Sequence, residues 1–173
     1  MKKLFIMRHA KSEWKDHIGR DFDRTITPEG ILETESVSNE FTKNKLTFDL
    51  IYLSPSNRTK QTLNVLNNFI KKKKIKVIED MNLYDGCLES FLLKLKYINN
   101  ELNNILIITH EPMIVDLVGF FIKEIDLAPE NNFPKQYFNS SVICLNFQVE
   151  SWENISNINC SFYNFIKPKN NYS

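Results

Sequence analysis

Cysteine, histidine and net charge are all scarce in this 173-residue sequence, and each scarcity closes off a class of function. Cys87, Cys144 and Cys160 are an odd number at wide spacing, with no paired-cysteine motif and no histidine near enough to suggest a metal cage. They are expected as buried free thiols, not as disulfides or redox centres. Lysine plus arginine number 22 against 21 for aspartate plus glutamate, so no overall field draws the chain to nucleic acid or to a membrane surface. Long apolar runs are missing too. Met1-Lys2-Lys3 has the charge of a signal-peptide start, but the apolar run behind it stops at Arg8, well short of a signal-peptide core. Nothing else approaches membrane-spanning length, and an intracellular, cytoplasmic protein is the expectation. Neither an internal repeat nor a carboxylate cluster of metal-ligand type is evident, so no metal and no cofactor are expected.

What the chain does have is alternation. Hydrophobic and charged fractions of 42% and 25% suit one well-buried domain, expected over residues 1–167 with 168–173 as a C-terminal tail. Lys3 to Met7 is a short apolar run bounded by charge, as in a strand buried on both faces. Further strands are expected at Phe48 to Leu53, Ile75 to Ile78 and Ile105 to Ile108. Between them lie helical patterns. Thr27-Pro28-Glu29 opens one helix with an N-cap, a first-turn proline and a first-turn acid, running to about Lys45. A second follows Ser54-Pro55-Ser56 and carries Leu63, Leu66, Phe69 and Ile70 toward the solvated Lys71 to Lys74 run. A third covers Leu88 to Leu102, and a fourth covers Met113 to Ile122 behind Pro112. Such alternation predicts an α/β fold, a three-layer sandwich with a mostly parallel central sheet and helices on both faces. Ser141 to Val149 and Cys160 to Lys167 are expected as a late antiparallel hairpin turning near Asn154, after an irregular stretch over Asp126 to Phe138.

Three of the four parallel strands run into a cationic or imidazole group: Arg8 and His9, Arg58, and His110. In open α/β sheets ligands bind beyond the carboxyl ends of the strands, so these groups are expected to converge in one crevice. Two guanidiniums can grip a tetrahedral oxyanion through forked donors, and helix starts add backbone N–H groups. One histidine could attack phosphorus while the other hydrogen-bonds the phosphoryl oxygens. Trp14 and Trp152 are expected as packing residues, and His17 as an exposed histidine.

Arg8-His9-Ala10-Lys11-Ser12, the Ser54-Pro55 to Arg58-Thr59 segment with Gln61-Thr62, and His110-Glu111-Pro112 resemble, in that order, the motifs of the histidine phosphatase superfamily, the phosphoglycerate mutase-like group. Asp23-Arg24 with Thr27 and Gly30, Leu83-Tyr84 and the short path to the fourth strand look most like its small SixA-type phosphohistidine phosphatases. The resemblance implies that His9 is the phosphorylated nucleophile, with Arg8, Arg58, His110 and Ser12 around the phosphate, and a two-step reaction without metal. It implies Asp85 as the positional candidate for a general acid, beside its plain reading as a turn residue in Asp85-Gly86. Its implied substrate is a protein phosphohistidine, on a phosphotransfer domain or a phosphocarrier protein. A small-molecule phosphomonoester and a non-catalytic phosphate- or phosphoprotein-binding module are the alternatives. The chain departs from the pattern at Ala10 and Thr109, where glycine is common, at Lys15 and Glu111, where asparagine is frequent, and at Asn57.

Overall fold

A computed structural model describes residues 1–14, 20–67, 70, 75–122 and 133–169. Its elements alternate as the patterning predicts: β1 (Lys2–Arg8), α1 (Pro28–Lys43), β2 (Leu50–Leu53), α2 (Asn57–Asn67), β3 (Lys76–Glu79), α3 (Leu88–Lys96), β4 (Asn104–Thr109), α4 (Met113–Phe121), β5 (Val142–Phe147) and β6 (Cys160–Ile166). Single turns of 3-10 helix stand at Asp21–Asp23, Met81–Leu83 and Trp152–Asn154. The sheet order is β3-β2-β4-β1-β5-β6. β1, β2, β3 and β4 are mutually parallel, while β5 runs antiparallel to β1 and β6 antiparallel to β5. Among the described residues no helix is long and apolar enough to cross a membrane.

The period-two geometry of a strand sends alternate side chains of β1 into two separate cores. Leu4 and Ile6 join Phe91, Leu95, Ile114 and Leu117 of α3 and α4 on one face. Phe5 and Met7 join Val37, Phe41, Leu63 and Leu66 of α1 and α2 on the other. This is the expected three-layer sandwich. Each fully buried side chain of this size contributes about 1.5–3 kcal/mol of transfer free energy, so the central strands β1 and β4, apolar on both faces, anchor both cores together.

Several boundaries differ from the sequence expectation. The third helix ends at Lys96, not Leu102, although Ile98 is buried in the core. Residues beyond the helix instead serve Lys2, which is buried and whose Nζ donates to the Asn100 and Leu102 carbonyls and to Asn103 Oδ1. Those last carbonyls gain a cationic partner in place of another helical turn. The turn near Asn154 holds the 3-10 turn at Trp152–Asn154, whose Trp152 is fully buried as expected. Of the thiols, Cys144 and Cys160 are buried, but Cys87 is exposed beside Glu89. Trp14 is likewise not a packing residue: it is 82% exposed. Lys15, His17, Phe69, the Lys71 to Lys74 run, most of the irregular stretch after Asp126 and the tail from residue 170 lie outside the described residues.

The start of α1 fixes the loop after β1. Thr27 accepts a hydrogen bond from Gly30 N at 3.0 Å as the N-cap, and Thr27 N donates to Lys11 O at 2.8 Å. Gly30 then packs directly on the Lys11 main chain, where an added Cβ would fall 2.9 Å from Lys11 N and nearer still to its carbonyl oxygen. Gly30→Ala is therefore expected to destabilise the fold by about 1–3 kcal/mol, the usual cost of overpacking, as a lowered urea midpoint with unchanged m-value. An unaltered midpoint would show that the loop yields freely.

Candidate active site

Because β2, β4 and β1 are adjacent and parallel, their carboxyl ends lie side by side. Register pairs Arg8 with Thr109 and Leu53 with Ile108, so His9, His110 and Ser54 leave the sheet together. His9 N donates to Thr109 O at 2.9 Å and Ser54 N to Ile108 O at 3.0 Å, carrying the ladder one residue past the named strands. β5 begins at the same edge in the opposite direction. The residues before it close the fourth side, with Ser140 N and Asn139 Nδ2 both donating to His9 O at 3.1 Å. Ser140 achieves this in the left-handed region, φ 59°, and its hydroxyl pairs with Thr34 of α1 at 2.9 Å. A non-glycine residue takes that conformation only where its surroundings impose it.

These elements enclose a cavity of about 460 Å³ lined by Arg8, His9, Lys11, Ser12, Trp14, Asp21, Arg24, Arg58, His110, Glu111 and Asn139. Arg8, Ser12, His9, Arg58 and His110 are thus brought together as the sequence expects. Asp85 is not: it is exposed, beyond Tyr84, and outside this lining. Asp21 and Asn139 lacked a sequence signal, since each lies in a polar loop with no periodicity. Tyr84 and Ser54, seen only as parts of larger motifs, have contacts of their own. Tyr84 stacks edge-on against His110 with ring centroids 5.3 Å apart, and Ser54 Oγ meets His110 Nε2 at 2.8 Å.

The two histidine rings are 5.5 Å apart, centroid to centroid. His9 Nδ1 lies 2.7 Å from Ala10 O. A carbonyl only accepts, so Nδ1 carries the proton and Nε2 keeps its lone pair. Burial, aided by the positive charges of Arg58 and Arg8, pushes His9 down to about 3 against the hydrogen bond to Ala10. Burial and Arg58 likewise lower His110 to about 4. Ala10 N in turn donates to Thr62 Oγ1 at 3.0 Å, and that hydroxyl donates to Arg58 O at 2.7 Å, so helix α2 aligns the loop that follows β1.

Both guanidiniums are held by protein acceptors. Arg58 Nη1 donates to Asp21 O at 2.6 Å and Nη2 to Asp21 Oδ2 at 2.9 Å. Arg8 Nη1 donates to Tyr137 O at 2.6 Å and Nη2 lies 3.3 Å from Glu111 Oε2. Each leaves a buried Nε–H without a protein partner, a donor whose desolvation nothing within the protein offsets. Burial raises Asp21, but hydrogen bonds from Arg24, Tyr84 and Arg58 outweigh it and hold the carboxyl down to about 2. Asp21 is therefore a fixed anion that orients Arg58, not a proton donor at neutral pH.

These shifts set a pH dependence with a definite sign. Both histidines titrate lower in the folded chain than their ordinary 6.5, so the unfolded chain binds more protons between pH 6.5 and about 4. The stability they contribute is complete above pH 6.5 and is lost as the pH falls through that window. Asp21, ordinarily 3.8, loses its contribution only between 3.8 and about 2. The urea midpoint is expected to fall steadily from pH 7 to 4.5, with a shallower slope in His110→Gln; parallel slopes would show that His110 is not held neutral by the fold.

The sequence model of the histidine phosphatase superfamily (branch 1) matches residues 4–90, just over half of the chain. A candidate phosphoserine phosphatase 2 of Hydrogenobacter thermophilus is 34% identical over 73 residues, which are 40% of this chain and about a third, 34%, of that protein's length. Among solved structures, the protein histidine phosphatase SixA complexed with tungstate shares the fold at TM-score 0.76 and 20% identity, over 96% of this chain and 97% of that one. Phosphoserine phosphatase of Entamoeba histolytica, solved with 3-phosphoglyceric acid, superposes at TM-score 0.61 and 21% identity, over 98% of both chains. The superfamily match takes in the half of the chain that carries Arg8, His9 and Arg58, and by that match the chain belongs to the histidine phosphatase superfamily (branch 1).

Proposed function

We propose that the protein is a metal-independent phosphatase that works through a phosphorylated His9, and that its substrate is a protein phosphohistidine. One observation carries the chemistry: a neutral imidazole, proton fixed on Nδ1, sharing a cavity with two guanidiniums and a second imidazole. In the first step the His9 Nε2 lone pair attacks phosphorus as the bond from phosphorus to the leaving nitrogen breaks, and the departing imidazole takes a proton from solvent. Water then attacks the phosphohistidine, releasing inorganic phosphate and the free His9 ring. Arg8, Arg58 and His110 stabilise the charge spread over the equatorial oxygens in both steps, and Ser12 stands at the pocket wall. This reading asks for no carboxylic acid. The exposed position of Asp85 gives an acid role no support, and an imidazole leaves far more easily than an alkoxide. Residues 1–167 act as one phosphatase domain in this reading, and the partner is a cytoplasmic phosphotransfer domain or phosphocarrier.

The SixA-type motifs and the fold shared nearly end to end with SixA support the protein substrate. A small phosphomonoester is the second reading, favoured by the likeness to two proteins named for phosphoserine. Phosphate release without added metal, from a phosphohistidine protein and from phosphoserine side by side, separates them. The wild type is expected to prefer the phosphohistidine protein, and His9→Ala to retain phosphate-analogue binding with no turnover. Cleavage of phosphoserine alone would keep the chemistry and replace the substrate; cleavage of neither would leave a binding module. Arg58→Ala is expected to lower kcat/KM by about 10²–10³, as for loss of one preorganised donor, and a loss below threefold would remove Arg58 from the transition-state pocket.

A further inference from the structure

An indole usually contributes a large buried area, yet Trp14 is 82% exposed while forming part of the pocket wall. It has a cationic partner. The Arg24 guanidinium carbon lies 4.1 Å from the centre of the ring, and every arm of that guanidinium is engaged: Nε donates to Glu13 O at 3.0 Å, Nη1 to Asp21 Oδ1 at 3.0 Å and Nη2 to Ser12 Oγ at 2.8 Å. The guanidinium is therefore fixed, and the indole lies within cation–π distance of it. A flat apolar surface is left presented to solvent at the rim, tied through Asp21 to the same network that orients Arg58.

The direction of the reaction says what meets that surface. Attacking and leaving groups are roughly in line across phosphorus. With His9 on the cavity floor, the leaving group and whatever carries it extend outward past the rim. A small ester ends inside a cavity of this volume, whereas a phosphohistidine on a protein continues past it as backbone and neighbouring side chains. Tryptophan and arginine are the residue types that dominate binding at such contacts, and the Arg24 guanidinium, already held on all three nitrogens, adds little ordering cost.

Resting on the phosphohistidine reading above, we infer that Trp14, backed by Arg24, is the docking platform for the protein that carries the phosphohistidine, and the residue that sets preference for a protein-borne phosphoryl group over a small ester. Its occupant is an apolar or aromatic patch beside the phosphorylated histidine of that carrier.

The test uses a tryptophan-free carrier protein phosphorylated on histidine with phosphoramidate, and phosphoserine as the small ester. Trp14→Ala is expected to lose at least tenfold more in kcat/KM toward the carrier than toward phosphoserine, mostly through KM, with Trp14→Phe recovering part of the difference. The unfolding midpoint of each variant checks that the fold is kept. Trp152 is the other tryptophan and is fully buried, so in His9→Ala the solvent-sensitive emission comes from Trp14; it is expected to shift to the blue on binding the phosphorylated carrier and not on binding phosphoserine. Equal losses on both substrates, or no shift with a carrier that the wild type hydrolyses, would overturn the platform and leave the function standing. Failure of the wild type to hydrolyse the carrier at all would overturn the phosphohistidine reading, and the platform with it.

Discussion

A buried imidazole that stays neutral beside fixed cations is the constraint on which this structure turns. Burial alone disfavours an imidazolium, and Arg58 and Arg8 add to that by repelling a third positive charge. The arrangement holds only while the guanidiniums are themselves compensated. Their acceptors are the Asp21 carboxylate and carbonyl for Arg58, and the Tyr137 carbonyl and Glu111 for Arg8, with Asp21 and Glu111 themselves in the pocket lining. Removing one acceptor would leave a largely buried charge without its partner, a far greater cost than the loss of an exposed ion pair.

That charge balance is assembled from parts distant in sequence by a short list of backbone bonds. The parallel register of β1, β4 and β2 brings His9, His110 and Ser54 to one edge, and the antiparallel start of β5 brings Asn139 and Ser140 onto the His9 carbonyl. Helix α2 ties Arg58 and the loop after β1 through the single Thr62 hydroxyl. The side chains that carry charge are thus held by hydrogen bonds within the protein, the fixed-donor arrangement on which electrostatic preorganisation rests.

How much of this the sequence revealed follows from which physics leaves a pattern. Central strands buried on both faces are continuous apolar runs, so β1 and β4 are legible, and the charged residues at their ends mark the site. Helix α1 is legible from the cap at Thr27. The third helix is overrun in sequence because Ile98 and Leu102 keep helical spacing, while the event that ends it, the buried Lys2 ammonium taking the carbonyls of Asn100 and Leu102, joins residues about a hundred positions apart. Asp21 and Asn139 are invisible for a similar reason: their roles come from what faces them, not from their neighbours in the chain. Trp14 misleads because an indole is a packing residue by default, and only its position at the rim reverses that reading.

The place of β5 has a consequence for how the molecule comes into being. Arg8 pairs across the sheet with Thr109, and Met7 with Val142, so the earliest strand is enclosed by neighbours that are synthesised late. Local helices can form as they emerge, but the pairings that build the crevice close long loops and belong to the slow part of folding. Until Asn139 and Ser140 arrive, the His9 carbonyl lacks two of its donors and the Tyr137 carbonyl is not there to receive Arg8. A chain that ends before His110 and Asn139 therefore already carries Arg8, His9 and Arg58 and still lacks these side chains of the cavity lining; the crevice is completed only when β4 and β5 are laid against the first strand.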